Sequence, residues 1–150
     1  MNAPLPRDWD TLRQSRGRRL ERAASLGFGK VIPFDRIIDL LEAVIQPGDR
    51  VCLEGNNQKQ ADFLSESLAD CSPKRINHLS MVQSVLALPS HVDLFERGLA
   101  NRLDFSFSGP QGARLAKLVQ EQRIEIGAIH TYLELFGRYF MDLTPNVALI

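Results

Sequence analysis

From Leu53 the chain runs "LEGNNQKQ", which sets Glu54 beside Gly55 and follows them with the amides of Asn56, Asn57, Gln58 and Gln60. A carboxylate at the end of an apolar run, held partly out of water, suits a base or a nucleophile; it equally suits a turn in which it accepts N–H bonds from its neighbours. Gly55 permits close approach of main chain to a ligand, and Asn57 can cap a helix whose free N–H groups favour an anion or a developing oxyanion. Amides donate and accept at once, so the cluster fits a ligand that presents both amide and carbonyl groups, while a hydrogen-bonded tight turn uses the same residue types. The second and third glycines of a dinucleotide fingerprint are missing, as is the Gly-Lys-Ser/Thr of a nucleotide-phosphate loop.

Two further stretches carry chemistry-bearing residues. In "FSFSGPQGARL", Ser108, Gly109, Pro110, Gln111 and Gly112 make a rigid loop of small residues leading into a helix, able to clamp a carboxylate or thioester with backbone N–H groups or to serve as an ordinary connection. Gln111 can donate to a substrate carbonyl. Ser108 lacks the glycine two residues earlier that a nucleophile elbow needs. In "GAIHTYLE", His130 precedes Glu134 by four residues, a spacing that brings two side chains together on one helical face as an acid/base pair. A packed or surface histidine reads the same way in sequence. His91 falls in a first helical turn, and strand alternation turns His78 aside.

The elements that must position these residues alternate. "DWDTLRQSRGRRLERAASLGFGK" has helix-forming composition, ended by "GFGK". In "PFDRIIDLLEAVIQPGD", Asp35 can cap a helix with Ile37, Leu41 and Val44 at helical spacing, stopped by Pro47 and Gly48. "RVCLE" reads as a strand covered on both faces. It is followed by a helix with Ala61, Leu64 and Leu68 on one side. "INHLSMV" reads as a strand and "SHVDLFERGL" as a helix opened by Ser90. "RLDFSF" is a strand alternating Leu103, Phe105 and Phe107 with polar residues, and "GARLAKLVQEQ" is a helix. "IEIGAI" and "NVALI" are strands, and between them Ile129, Leu133, Phe136 and Phe140 recur as in a helix. Alternating strands and helices predict an α/β fold, a doubly wound and mostly parallel sheet, in which ligands sit at the carboxyl ends of the strands.

The totals agree with one domain: 150 residues, 44% hydrophobic, are enough for a core. Eighteen basic and eighteen acidic residues give no overall field, which argues against a dedicated nucleic-acid binder. Residues 1–30 carry seven Lys/Arg against three Asp/Glu, so the expected organisation is a basic helical arm, 1–30, preceding the α/β domain of residues 31–150. That arm suits an acidic partner, a ligand phosphate, or simply water. Cys52 and Cys71 have neither metal-ligand nor disulfide spacing. No membrane span or secretory signal is visible, so a cytoplasmic location is expected. The run "NVALI" at the end of the sequence is apolar and uncapped, which suggests a fragment of a longer chain.

The stretches "GDRVCLEGNNQKQADFL", "MVQSVLALPSHVDLFE", "LDFSFSGPQGARLAKLV" and "IEIGAIHTYLELFGRYFMDLTPNVALI" together resemble the N-terminal part of the α subunit of biotin-independent malonate decarboxylase. The resemblance runs from about residue 31 to the end. It implies a class I coenzyme A transferase-like fold and an enzyme that exchanges acetate for malonate on an acyl carrier protein. It also implies partners: the carrier protein, the decarboxylase subunits of the same complex, malonate and acetate. No cofactor would be bound by the chain itself, the thiol belonging to a phosphoribosyl-dephospho-coenzyme A group on the carrier. Chemistry of this class passes the acyl group through a Glu carboxylate, expected beyond Ile150 because nothing here matches its glycine-loop setting; Glu54 and His130 are the candidates within the chain. Substrate-binding roles fall on Gly55, Asn56, Asn57, Gln58, Gly109, Gln111 and Gly112, and the 150 residues alone are expected to be inactive. A subunit acting on citrate or another acid, and a non-catalytic domain sensing a small acid, are the alternatives the residues leave open.

Overall fold

In the computed structural model, which describes residues 9–55 and 61–150, five parallel strands form one sheet in the order β4-β3-β2-β1-β5. The strands are β1 (Arg50–Leu53), β2 (Leu79–Val85), β3 (Ala100–Phe107), β4 (Glu125–Ile129) and β5 (Val147–Leu149). The helices are α1 (Trp9–Ala24), α2 (Ile37–Val44), α3 (Asp62–Ala69), α4 (Ser90–Glu96), α5 (Gly112–Gln120) and α6 (Tyr132–Met141). The chain steps outward from β1 to β4, then returns through α6 to add β5 on the other side of β1. That reversal makes the sheet doubly wound and opens a crevice at the carboxyl ends of β1 and β5.

One face of the sheet carries most of the core. Val51 and Leu53 of β1, Leu79 and Met81 of β2, and Leu103 and Phe105 of β3 pack there against Leu41, Leu68, Leu94, Phe95 and Leu118 from α2 to α5. Burial of such side chains is worth roughly 1.5–3 kcal/mol each, which is what holds short helices of seven to nine residues in place. On the opposite face, Leu135 and Tyr139 of α6 and Leu143 just after it meet Val82.

Several local expectations are revised. Asp35 does not cap α2; it lies inside a 3-10 turn, Phe34–Arg36, that feeds directly into the helix. Ser90 makes no capping bond, since its hydroxyl is spent on the buried Ser65 hydroxyl 2.7 Å away. The second strand begins at Leu79, because His78 adopts a left-handed φ of 55° and its ring bonds the Asn77 side chain instead. Phe107 lies exposed at the strand end. Ile129 belongs to β4 rather than to a helix; Leu133 and Phe140 lie exposed on α6, Phe136 stands exposed on its groove-side flank, and Leu135 is buried. Thr131 accepts the Glu134 N–H at 3.1 Å and the His130 N–H donates to the Phe105 carbonyl at 2.8 Å, which together fix how α6 leaves the sheet.

The basic helix α1 is not a free arm. Arg19 reaches across to form an ion pair with the buried Asp49 and hydrogen bonds to the Gln46 side chain and the Val44 carbonyl. Among the described residues no helix is long and apolar enough to cross a membrane.

Candidate functional site

At the carboxyl end of β1, the Glu54 N–H donates to the Leu149 carbonyl at 2.9 Å, and the Glu54 carbonyl accepts from the Ala61 N–H at 3.3 Å. The turn after β1 is thereby tied both to β5 and to the start of α3. Gly55 is buried, and its carbonyl accepts from the Val85 N–H at 3.2 Å and from the Ser84 hydroxyl. Any other residue there would carry a Cβ 3.0 Å from the Val85 carbonyl oxygen and 3.0 Å from the His91 ring. Asn56, Asn57 and Gln58, expected to bind the ligand, lie outside the described residues.

The loop after β3 reaches the same place from the other side. Gly109 has a φ of 54°, and a Cβ on it would lie 3.1 Å from the Leu86 carbonyl oxygen and 3.3 Å from Val85 Cγ1. Gly112 packs on the Ser108 hydroxyl in the same way, at 3.1 Å. Gly55 and Gly109 therefore converge on the end of β2, at Val85 and Leu86. Gln111 is buried, and its side-chain carbonyl accepts from Arg114 at 3.4 Å.

Beside this rim, between the ends of β1 and β5 and the inner side of α6, runs a groove of about 470 Å³. Glu54, Gly55 and Ser84 give it a polar edge, and Tyr132, Phe136 and Tyr139 supply aromatic walls. Cys52 on its floor donates to the Tyr139 hydroxyl at 3.4 Å. Burial pushes the Cys52 thiol up, with the Glu54 charge adding to it and the Tyr139 bond opposing; burial and the Cys52 contact raise Tyr139 likewise. Both groups stay protonated at neutral pH and act as hydrogen-bonding walls rather than as nucleophiles.

His130 stands apart from the groove. It ends β4 instead of starting a helix, and its buried ring has Asp104 at 3.2 Å from Nε2 and Glu134 at 3.2 Å from Nδ1. Glu134, the residue expected to pair with His130, comes within 3.2 Å of Nδ1 without forming a hydrogen bond, and the carboxylate that is hydrogen-bonded to the ring is Asp104. Asp104 fits only because Gly127 leaves room, a Cβ at that position falling 2.4 Å from the Asp104 carboxylate. Among the described residues no three His, Cys, Asp or Glu side chains gather closely enough to hold a metal ion.

The Gly55 turn thus borders the aromatic-walled groove, while the Gly109 turn packs on the end of β2. A family model described as "Malonate decarboxylase, alpha subunit, transporter" matches residues 8–150. The chain belongs to the malonate decarboxylase alpha subunit family. It is 54% identical over 143 residues to "Acetyl-S-ACP:malonate ACP transferase" of Malonomonas rubra, covering 95% of this chain and 26% of that relative. Among solved structures, a malonate decarboxylase alpha subunit from Acinetobacter baumannii superposes with a TM-score of 0.90 at 50% identity. A Pseudomonas malonate decarboxylase hetero-tetramer in complex with malonate does so at 0.91 and 54%. Each match covers 95% of this chain and 26% of the other. The chain thus spans about a quarter of the length of these malonate decarboxylase alpha relatives.

Sequence reasoning missed three residues around the rim. They are Ser84, which holds the Gly55 carbonyl, Tyr139, which walls the groove, and His91, which lies directly under Gly55. The only sequence signal for His91 was its place in the first turn of a helix that follows a strand end.

Proposed function

We propose that this chain forms the N-terminal portion of a transferase that exchanges acetate for malonate on an acyl carrier protein, giving malonyl-S-carrier protein for decarboxylation by other subunits. The observation that carries this reading is the 54% identity, over 95% of the chain, to a protein named for that reaction. The geometry is in keeping with it. Acyl transfer through a covalent carboxylate needs a carboxylate nucleophile and fixed donors for the oxyanion. The groove beside Gly55 has the apolar and aromatic lining that suits a pantetheine-like arm.

In this reading the thiol comes from a phosphoribosyl-dephospho-coenzyme A group on the carrier. Asn56, Asn57 and Gln58 meet the amides of its arm, and Glu54 borders the acyl end. The nucleophilic Glu is supplied from sequence following residue 150. Carrier protein, decarboxylase subunits, malonate and acetate are the partners, and the reaction takes place in the cytoplasm.

The test uses the complete polypeptide with acetyl-S-carrier protein and malonate, following the carrier by intact mass. Conversion of acetyl- to malonyl-carrier, with an enzyme adduct cleaved by hydroxylamine, is the expected result. Equal conversion with citrate in place of malonate, or tight malonate binding with no transfer, would reject it.

A further inference from the structure

Tyr139 stands half-buried on α6, packed with Leu135 and Leu143 against Val82, and its hydroxyl meets Cys52 in the lining of the groove. There it accepts the Cys52 S–H at 3.4 Å, so its own proton has no acceptor among the described residues. Tyrosine hydroxyls held out of water usually find a partner. A phenylalanine would give the same wall, and a thiol is too weak a donor to require an oxygen opposite it. The other polar side chains of the groove do not offer the same donor. The Ser84 hydroxyl is spent on the Gly55 carbonyl, a carboxylate such as Glu54 only accepts, and Tyr132 is largely exposed. The position of Tyr139 is also fixed. Its carbonyl accepts the Thr144 hydroxyl at 2.8 Å, and the Arg50 side chain of β1 donates to the Asp142 and Thr144 carbonyls at 2.6 and 3.3 Å, tying the end of α6 to that strand.

We propose that the Tyr139 hydroxyl recognises the carrier's arm, donating its proton to the amide carbonyl nearest the thioester sulfur. The assignment rests on the transferase reading above and adds to it a residue that touches the arm. Length supports it. Cys52 and Glu54 both line the groove from alternate positions of one extended segment, about 6.5 Å apart. In a pantetheine-like arm the thioester carbon and the nearest amide carbonyl carbon are joined through the sulfur and two methylenes, a span of about 6 Å when extended. With the acyl end at Glu54, that carbonyl comes level with Cys52 and the Tyr139 hydroxyl. Chemistry supports it as well. An amide carbonyl is a good acceptor for a neutral O–H, whereas the thioester sulfur is a poor one, so a single donor at this depth distinguishes the amide from the atoms before it. The apolar stretch between them lies where Phe136 and the Tyr139 ring form the wall.

The experiment compares wild type and Tyr139→Phe in the complete polypeptide, assayed for malonyl-carrier formation and for urea unfolding. The variant should raise the KM for acetyl-carrier about three- to tenfold, the worth of one neutral hydrogen bond, with kcat and the KM for malonate within about twofold. Its unfolding midpoint should be unchanged. S-acetylpantetheine, which presents the arm without the carrier protein, should compete with acetyl-carrier in the wild type and about three- to tenfold more weakly in the variant. An unchanged KM for the carrier overturns the proposal. So does a raised KM that comes with a lower midpoint or a failure to fold, which marks the hydroxyl as structural. Undiminished competition by S-acetylpantetheine overturns it too, because the lost contact then belongs to the carrier's surface, and so does a wild type that this probe does not inhibit. If the unaltered protein makes no malonyl-carrier, the transferase reading itself fails, an outcome the wild-type control separates from the others.

Discussion

An alanine at Gly55 would press its methyl group against the Val85 carbonyl oxygen and the His91 ring, each at 3.0 Å. The first obstacle is backbone at the end of the sheet's central strand, held by its own hydrogen bonds; the second is a side chain that can be removed. Gly55→Ala should therefore cost about 1–3 kcal/mol of stability, as overpacking does. Adding His91→Ala should recover part of that loss and no more. A double-mutant cycle by chemical denaturation reads the coupling, and strictly additive losses would mean the two residues do not share the space. Such a pairing is not legible in sequence. Gly55 reads as a loop glycine and His91 as a helix-start histidine, and only the lateral stacking of β1 on β2 brings them together. Asp104 escaped notice for a similar reason: strand alternation assigns it to the face opposite the main core, and nothing in "RLDFSF" tells that Gly127 on the adjacent strand leaves a niche for its carboxylate.

At the scale of elements, order and direction were plain, because each strand is a short apolar run closed by turn residues and each helix repeats its apolar residues at helical spacing. Orientation was harder. On α6 two apolar stripes compete, Leu133 with Phe136 and Phe140 against Leu135 with Tyr139, and hydropathy alone favours the first. The structure turns the second inward, in keeping with the His130 main-chain bond to β3 and the Thr131 cap, which fix where the helix starts. Phe136 and Phe140 instead meet edge to face, 5.4 Å between centroids, both exposed. Leu135→Ala should cost about 2–5 kcal/mol in the 150-residue chain. Phe140→Ser should change its stability by no more than about 0.5 kcal/mol. Urea unfolding of the two variants checks the assignment, and the reverse ranking would mean that α6 is rotated.

For the whole molecule, the basic N-terminal helix was legible as charge but not as architecture. Its excess of arginine suggested a segment reaching outward, whereas Arg19 reaches inward to Asp49, Gln46 and the Val44 carbonyl. Both charges of the Arg19–Asp49 pair are largely shielded, with side-chain exposures of 14% and 8%, so removing one leaves the other stranded. Arg19→Ala should cost about 3 kcal/mol in the docking of α1, though Asp49 keeps its bond from the Gln46 N–H at 2.8 Å. Limited trypsin digestion should then cut within residues 13–22 well before the rest of the chain. A variant as resistant as wild type would show that the apolar contacts of α1 suffice.

The position of β5 bears on how the chain reaches its native state. Arg50 and Asn146, 96 residues apart, clasp each other through both main-chain N–H groups, one to an amide side chain and one to a carbonyl, each at 2.8 Å. During synthesis β1 leaves the ribosome long before its outer neighbour β5 exists, so one flank of β1 stays open to stray pairing while the rest of the sheet assembles on its other side. Closure of that flank is thus the late, high-contact-order event in biogenesis, and aggregation of nascent chains is most to be expected just before it.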